Sequence, residues 1–503
     1  MDVYDKLLKK SKELYEFGTG LNVLRWDLQT HMPPKGMKQR SAQLALMSKL
    51  LHRMSTDGEL EDLVTKLEKE SDKLEVEQKR EVELIRRSLD RRSKIPEDLV
   101  AAETAQRTVT VSAWKKAKEK NNWKLFESEF VTLLDISRTI AEIIMEGIGA
   151  KFQLDALMDT WEPRMTTKSV NTVFKVLRKQ LIPRVKKYSS ACADVRTDFK
   201  KHKVPASIQQ DLLTDLTGVM GYDTTSENAG GRIDESEHPF TIGYYDDIRI
   251  TTNYIENDFL KSMFGGLHET GHALYRQNLN PDWKWMYLGD TCSSGISESQ
   301  ARFIENTIGR SSDFWKFYFP QFVKNTNGIF TDITCTEFLQ AINIVKPSKI
   351  RVMADEMTYA LHIIIRFEIE QDLFNDKIDV SEIPAIWNAK YEKYLGVEIE
   401  TDTEGALQDI HWSWAFWGYF PMYALGDLYA AMIREKMTSD MPEWSRELAE
   451  GNVAKPTQWL MENVHRKSNL YDPSEIIKKI TGKSLTADPF IDYLDEKYSS
   501  LFG

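Results

Sequence analysis

A mainly α-helical protein with one small antiparallel β-sheet is the fold class this chain predicts, on three observations. Apolar residues recur at three- and four-residue spacing over most of the sequence, with Lys and Glu between them. The period-two alternation of a strand is concentrated in one short stretch, residues 240 to 254. Immediately behind it, a helix-compatible segment carries His268-Glu269-Thr270-Gly271-His272.

In chain order, the periodicity predicts helices over residues 3 to 25, 40 to 70, 74 to 92, 96 to 119 and 122 to 150. Asp72 to Arg92 is densely charged and reads as a solvated helix face. Phe240 to Tyr245 and Ile248 to Tyr254, joined through Asp246-Asp247, read as a hairpin or two strands. A strand in that place can pair with an extended peptide through main-chain hydrogen bonds. The helix that follows holds Gly265, Gly266 and Gly271, each costing roughly 1 kcal/mol of helix propensity, which points to another backbone packed closely against it. Asp290 to Gly295 reads as a turn and helix start. Arg351 sits in a helical pattern among Ile350, Val352 and Met353, and aromatic residues crowd positions 412 to 423.

Composition sets outer limits. A net charge of −11 argues against nucleic-acid binding. The scattered Cys192, Cys292 and Cys335 fit a reducing compartment better than a disulfide framework. Asp2 to Leu8 lacks a signal-peptide pattern, and no apolar run approaches the roughly 20 residues of a membrane span. No linker or repeat divides the chain. A cytoplasmic protein with residues 1 to 503 in one domain is expected.

The pentapeptide carries the chemistry. Positions i and i+4 share a helix face, so His268 and His272 can reach one metal ion, with Glu269 beside them to accept a proton from a metal-bound water. An exposed His/Glu face is the plain alternative, but apolar flanks such as Met263, Phe264 and Leu267 argue for burial, and buried His and Glu need partners. A catalytic zinc usually takes a third protein ligand. The metzincin position for it is Asn278, which excludes that class. Glu298, 26 residues beyond His272, is the best candidate, and Glu305 on the same predicted helix is its rival.

Further motifs give the chain a resemblance. His238-Pro239-Phe240, Asp247-x-Arg249-x-Thr251, the His268 to His272 motif, Glu298-Ser299-Gln300, Ile350-Arg351-x-x-Ala354-Asp355 and Gly405-x-x-Gln408-Asp409-x-His411-Trp412 occur in order. Trp26-Asp27 and Met32-Pro33 extend the likeness nearly to full length. The sequence resembles the carboxypeptidase Taq family of metallocarboxypeptidases, largely helical dimeric enzymes. The resemblance implies one catalytic domain with a deep active-site groove, a homodimer, and zinc on His268, His272 and Glu298, with cobalt as a plausible substitute. Glu269 would activate a zinc-bound water, and C-terminal residues would be released from peptides with broad specificity. It also shows a departure: the family usually has His before Glu-Ser-Gln, and here the residue is Ser297. Its contact is lost or supplied elsewhere, so Ser297→His should alter kinetic constants without altering metal stoichiometry.

A free C-terminal carboxylate suits the planar fork of an arginine. Arg351 is the first candidate, against a structural ion pair with Asp355 or Glu356. Arg249 is the second, against a pair with Asp247. His411 and Tyr423 are candidate oxyanion donors, and His238 and Gln408 candidate substrate contacts. His31, His52, His202 and His465 are expected at the surface, and His362 in the core. Two rival functions stay open: a zinc endo-oligopeptidase or dipeptidyl carboxypeptidase, and an inactive metal-stabilised binding protein.

Overall fold

In the computed structural model, which describes residues 2–503, helices dominate around one small sheet. The N-terminal helices run Val3–Gln29, Met37–Ser55, Gly58–Lys69, Val76–Ser93, Glu97–Glu119 and Lys124–Ile148. The helix expected over 40 to 70 is therefore two. Asp57 breaks it: its backbone is extended, its carboxylate accepts from the Glu59 amide at 3.2 Å, and Lys10 holds it at 2.5 Å. An aspartate in that pose starts a new helix, which periodicity misses because the apolar spacing continues across the break.

The first four of these helices share a small core of Leu7, Leu14, Leu60, Leu63, Ile85 and their neighbours. The charged helix is only partly solvated. Arg80 and Glu81 are buried; Arg80 pairs with Asp472 at 2.9 Å, and Glu81 accepts from the Leu288 amide at 2.7 Å. A much larger core joins residues from Ala117 to Tyr498 and surrounds the central helices.

The sheet has three strands, β1 (Gly231–Glu235), β2 (Thr241–Tyr244) and β3 (Asp247–Thr252), in the order β1-β3-β2. The expected hairpin is present: β2 runs antiparallel to β3, with Thr241 opposite Ile250 and Tyr244 opposite Asp247. The sheet as a whole is mixed rather than antiparallel, because β1 adds to the far side of β3 in parallel register, Gly231 opposite Ile248. The alternation in residues 231–235 is too short and too charged to announce a strand; pairing with β3 makes it one.

Behind the hairpin, the helix Phe259–Gln277 is buried along most of its length. It packs against the helix Ser294–Arg302, which lies on Phe420–Asp440, and Glu356–Phe374 packs on the latter. A cavity of about 450 Å³ opens between Val3–Gln29 and the hairpin, its walls including Trp26, Ile242, Tyr244, Arg249 and Trp285. Among the described residues, no helix is long and apolar enough to cross a membrane.

Candidate metal centre

His268 and His272 point from one face of the Phe259–Gln277 helix, their side chains each 19% exposed. Opposite them, Ser293 caps the Ser294–Arg302 helix by accepting from the Ile296 amide at 3.0 Å. The turn-and-helix start expected there is present, and it carries Glu298 inward. Glu298 Oε2 stands 3.7 Å from Nε2 of both histidines. Ligands about 2.0–2.1 Å from a tetrahedral zinc lie roughly 3.3–3.5 Å apart, so this donor set of two imidazoles and a carboxylate fits such an ion with little adjustment.

Glycines make the approach. A Cβ on Gly271 would fall 2.4 Å from the Gln300 carbonyl oxygen and 2.5 Å from Ala301 Cα, so here the close backbone contact expected of the helix is real. Gly265 has nothing nearer than 3.9 Å, and Gly266 faces the Leu213 side chain instead. On the far side, a Cβ on Gly426 would strike Glu298 Cγ at 2.4 Å. The absent side chain is the space Glu298 occupies.

The outer nitrogens of the histidines are also held. His268 Nδ1 is 3.0 Å from Glu305 Oε2, and His272 Nδ1 is 2.9 Å from Ser297 Oγ. Glu305 thus lies behind His268 rather than within the ligand cluster. Arg302 donates from Nε to Glu298 Oε1 at 2.8 Å and from Nη1 to Glu305 Oε2 at 3.3 Å, with its guanidinium 4.3 Å from the Tyr359 ring centre.

Burial lowers the pKa of His268, but Glu298 and Glu305 outweigh it and push the imidazole up to about 9. Burial and the neighbouring His268 charge hold His272 well below its ordinary value. For Glu305, burial is overcome by its bond to His268 and by Arg302, which keep it well below the usual carboxylate range. Burial raises Glu269. Glu269 stands apart from the ligand cluster and accepts from Thr241 Oγ1 on β2 at 2.6 Å.

The remaining candidates divide. Arg351 lies in a short 3-10 turn rather than an α-helix, and is buried. It pairs with Asp409, not Asp355 or Glu356: Nε and Nη2 reach Asp409 Oδ1 at 3.0 and 2.8 Å, and Nη1 reaches Tyr359 at 3.2 Å. Asp355 instead caps the Glu356–Phe374 helix, and Glu356 binds Lys497. Gln408 accepts from Arg366 at 2.8 Å and from the Arg351 amide at 2.9 Å. His411 Nε2 and the Tyr423 hydroxyl are 3.2 Å apart, and burial holds His411 down to about 3. Arg249 pairs with Asp247 through two bonds and lies 4.3 Å over Trp26, facing the cavity. His238 is exposed.

His362 is in the core, bonded to Tyr391 at 2.9 Å. His465 is not a surface residue; it is buried and bonded to Gln300 at 3.0 Å, its polar sequence neighbours having concealed that environment. Sequence reading passed over Arg302, Thr241 and Tyr359. Arg302 alone had a readable signal, its i+4 spacing from Glu298.

Comparison with known proteins places the chain in a family. The model of the carboxypeptidase Taq (M32) metallopeptidase family matches residues 6–498. Carboxypeptidase 1 of Bacillus subtilis is 37% identical, covering 98% of this chain and 97% of the relative. Thermostable carboxypeptidase 1 of Thermus thermophilus is 32% identical, covering 99% of each. The crystal structure of the M32 carboxypeptidase from Deinococcus radiodurans superposes with a TM-score of 0.95 at 32% identity, covering 100% of this chain and 99% of that one. With its histidine-glutamate cluster and a match over nearly its whole length, this chain belongs to the carboxypeptidase Taq (M32) family of metallocarboxypeptidases.

Proposed function

We propose that this enzyme removes C-terminal residues from peptides with broad specificity, using zinc held by His268, His272 and Glu298, with cobalt able to replace it. The observation that carries this reading is the convergence of those three side chains beside a buried, unliganded Glu269. When bound, the ion would lower the pKa of a water and polarise the scissile carbonyl. Thr241 fixes one oxygen of Glu269 and leaves the other to take up the proton. Burial raises the pKa of Glu269, which makes it a stronger base for that proton and keeps it protonated until the amine departs. Along β2, an extended substrate can pair through its main chain.

The C-terminal carboxylate requires a cation. Arg351 is the first choice: its guanidinium lies 5.1 Å from the Tyr423 ring centre and bonds Tyr359, which stacks with Arg302 behind Glu298. Arg249 is the alternative, opening on the cavity beside β2. Tyr423 and His411 stand together as donors for the developing oxyanion.

The test is mass spectrometry of an unstructured peptide and its C-terminally amidated twin, incubated with metal-loaded enzyme. Single-residue losses from the free acid alone are expected. Internal cuts in both peptides would mean an oligopeptidase, and losses in steps of two a dipeptidyl enzyme. Glu269→Gln should keep its metal and lose activity by at least about 100-fold; retained activity would overturn the proton-transfer role. Arg351→Met should raise KM for the free acid far more than Arg249→Met, and the reverse ranking would move the carboxylate contact to Arg249.

A further inference from the structure

Most of the polar groups at the centre now have a purpose, but the position of Arg302 is distinctive. One guanidinium touches both arms of the site. Its Nε donates to Glu298 Oε1 at 2.8 Å, while Glu298 Oε2 faces the two histidines. Its Nη1 donates to Glu305 Oε2 at 3.3 Å, the same oxygen that lies 3.0 Å from His268 Nδ1. Asp427 flanks it at 3.6 Å, and the Tyr359 ring covers its face at 4.3 Å. Its side chain is only 13% exposed, so the charge is directed at these acids rather than at water.

A carboxylate can bind a metal through one oxygen or two. Two-oxygen binding by Glu298 would crowd the position that water or a carbonyl must occupy. A charged donor fixed on Oε1 makes that oxygen a poor ligand and leaves Oε2 alone for the ion. Arginine suits this task because its Nε–H and Nη–H vectors are rigidly related, so one residue can aim at both Glu298 and Glu305.

Resting on the metal-site reading above, we infer that Arg302 is a positioning residue that holds Glu298 to single-oxygen ligation and steadies Glu305 behind His268. It touches neither substrate nor metal. Removing it frees Glu298 Oε1 to turn onto the ion and leaves Glu305 with Arg310, 3.2 Å from its other oxygen, as its remaining arginine.

The experiment uses the full-length protein loaded with cobalt, read by visible absorption, together with cobalt affinity from competition with a chromophoric chelator. Arg302→Met should weaken the absorption, as coordination number rises, and loosen the metal about 10- to 100-fold. It should lower kcat with little change in KM, whereas Arg302→Lys, which keeps the charge without the fork, should fall between. A folded Arg302→Met with wild-type absorption and affinity overturns the inference. Should that variant not fold, Arg302→Lys and Glu305→Gln decide. The inference requires a weakened spectrum in the lysine variant, and a wild-type spectrum with reduced affinity in Glu305→Gln. Indistinguishable spectra in the two overturn it. A wild-type chain that takes up no cobalt would overturn the metal reading itself.

Discussion

Ser297 and Glu305 do the same job for different histidines, one with a hydroxyl and the other with a carboxylate. Hydrogen bonds to an ionised acceptor are roughly twice as strong as neutral ones. The two imidazoles are therefore unequal donors, His268 the stronger. Ser297→Ala should loosen the metal less than Glu305→Gln does, measured by chelator competition; the opposite order would show that Ser297 matters more than its charge allows. Ser297→His should still bind one ion per chain while changing kcat/KM. At this scale the sequence was readable where chemistry and spacing coincide: His268 and His272 share a helix face through their i+4 spacing, whereas Glu298 stands on another helix and was separated from Glu305 by the resemblance alone. The serine looked like a lost contact because the sequence does not show how close its hydroxyl comes to His272. Arg351 had a partner, but Asp409 lies 58 positions away in the chain, beyond any local pattern.

At the level of the element, two glycines in one helix carry opposite predictions. Gly265→Ala meets only ordinary contacts, Pro239 and Thr252 at 3.9 Å, so it should stabilise the protein by up to about 1 kcal/mol through helix propensity. Gly271→Ala drives a methyl into the backbone of the Glu298 helix, where neither neighbour can rotate away. Overpacking of this kind costs about 1–3 kcal/mol, and the shift should also loosen the metal by displacing Glu298. Denaturant midpoints of the two variants check the signs; equal shifts would contradict the packing described. Three glycines in the sequence signalled a close approach without saying which one makes it. The helix itself was plain from its period, and the hairpin from its alternation. The third strand escaped because β1 depends on β3 for its conformation.

Over the whole molecule, buried acids outside the histidine–glutamate cluster tie stability to pH. Burial pushes Glu81 and Glu162 up to about 7 and Glu370 up to about 8. A folded pKa above the unfolded value, 4.5 for glutamate, means stability that is full below that value and is lost as pH rises through the folded one. For Glu81 the loss falls between about pH 4.5 and 7 and amounts to about 3 kcal/mol. The melting temperature should accordingly fall as pH rises across this range, and Glu81→Gln should flatten the fall. An unchanged slope would mean that Glu81 titrates normally. Its helix read as a solvated face because the groups that bury it, Tyr287 and Leu288, are about two hundred residues downstream.

The order β1-β3-β2 leaves β2 with a strand on one side only. An open edge is a standing invitation to other chains, and proteins that keep one must limit what can accept it. Here the limits are built in. β2 is four residues long, Gly243 within it takes a φ of 120°, outside the range of a regular strand, and the acidic Asp246 and Asp247 follow closely. On the proposed reading, the tip of a substrate chain would find enough edge to settle on, while a second copy of the sheet would find too little to nucleate a stack. On that reading, the same brevity would oppose aggregation and would restrict guests to a short extended stretch of chain.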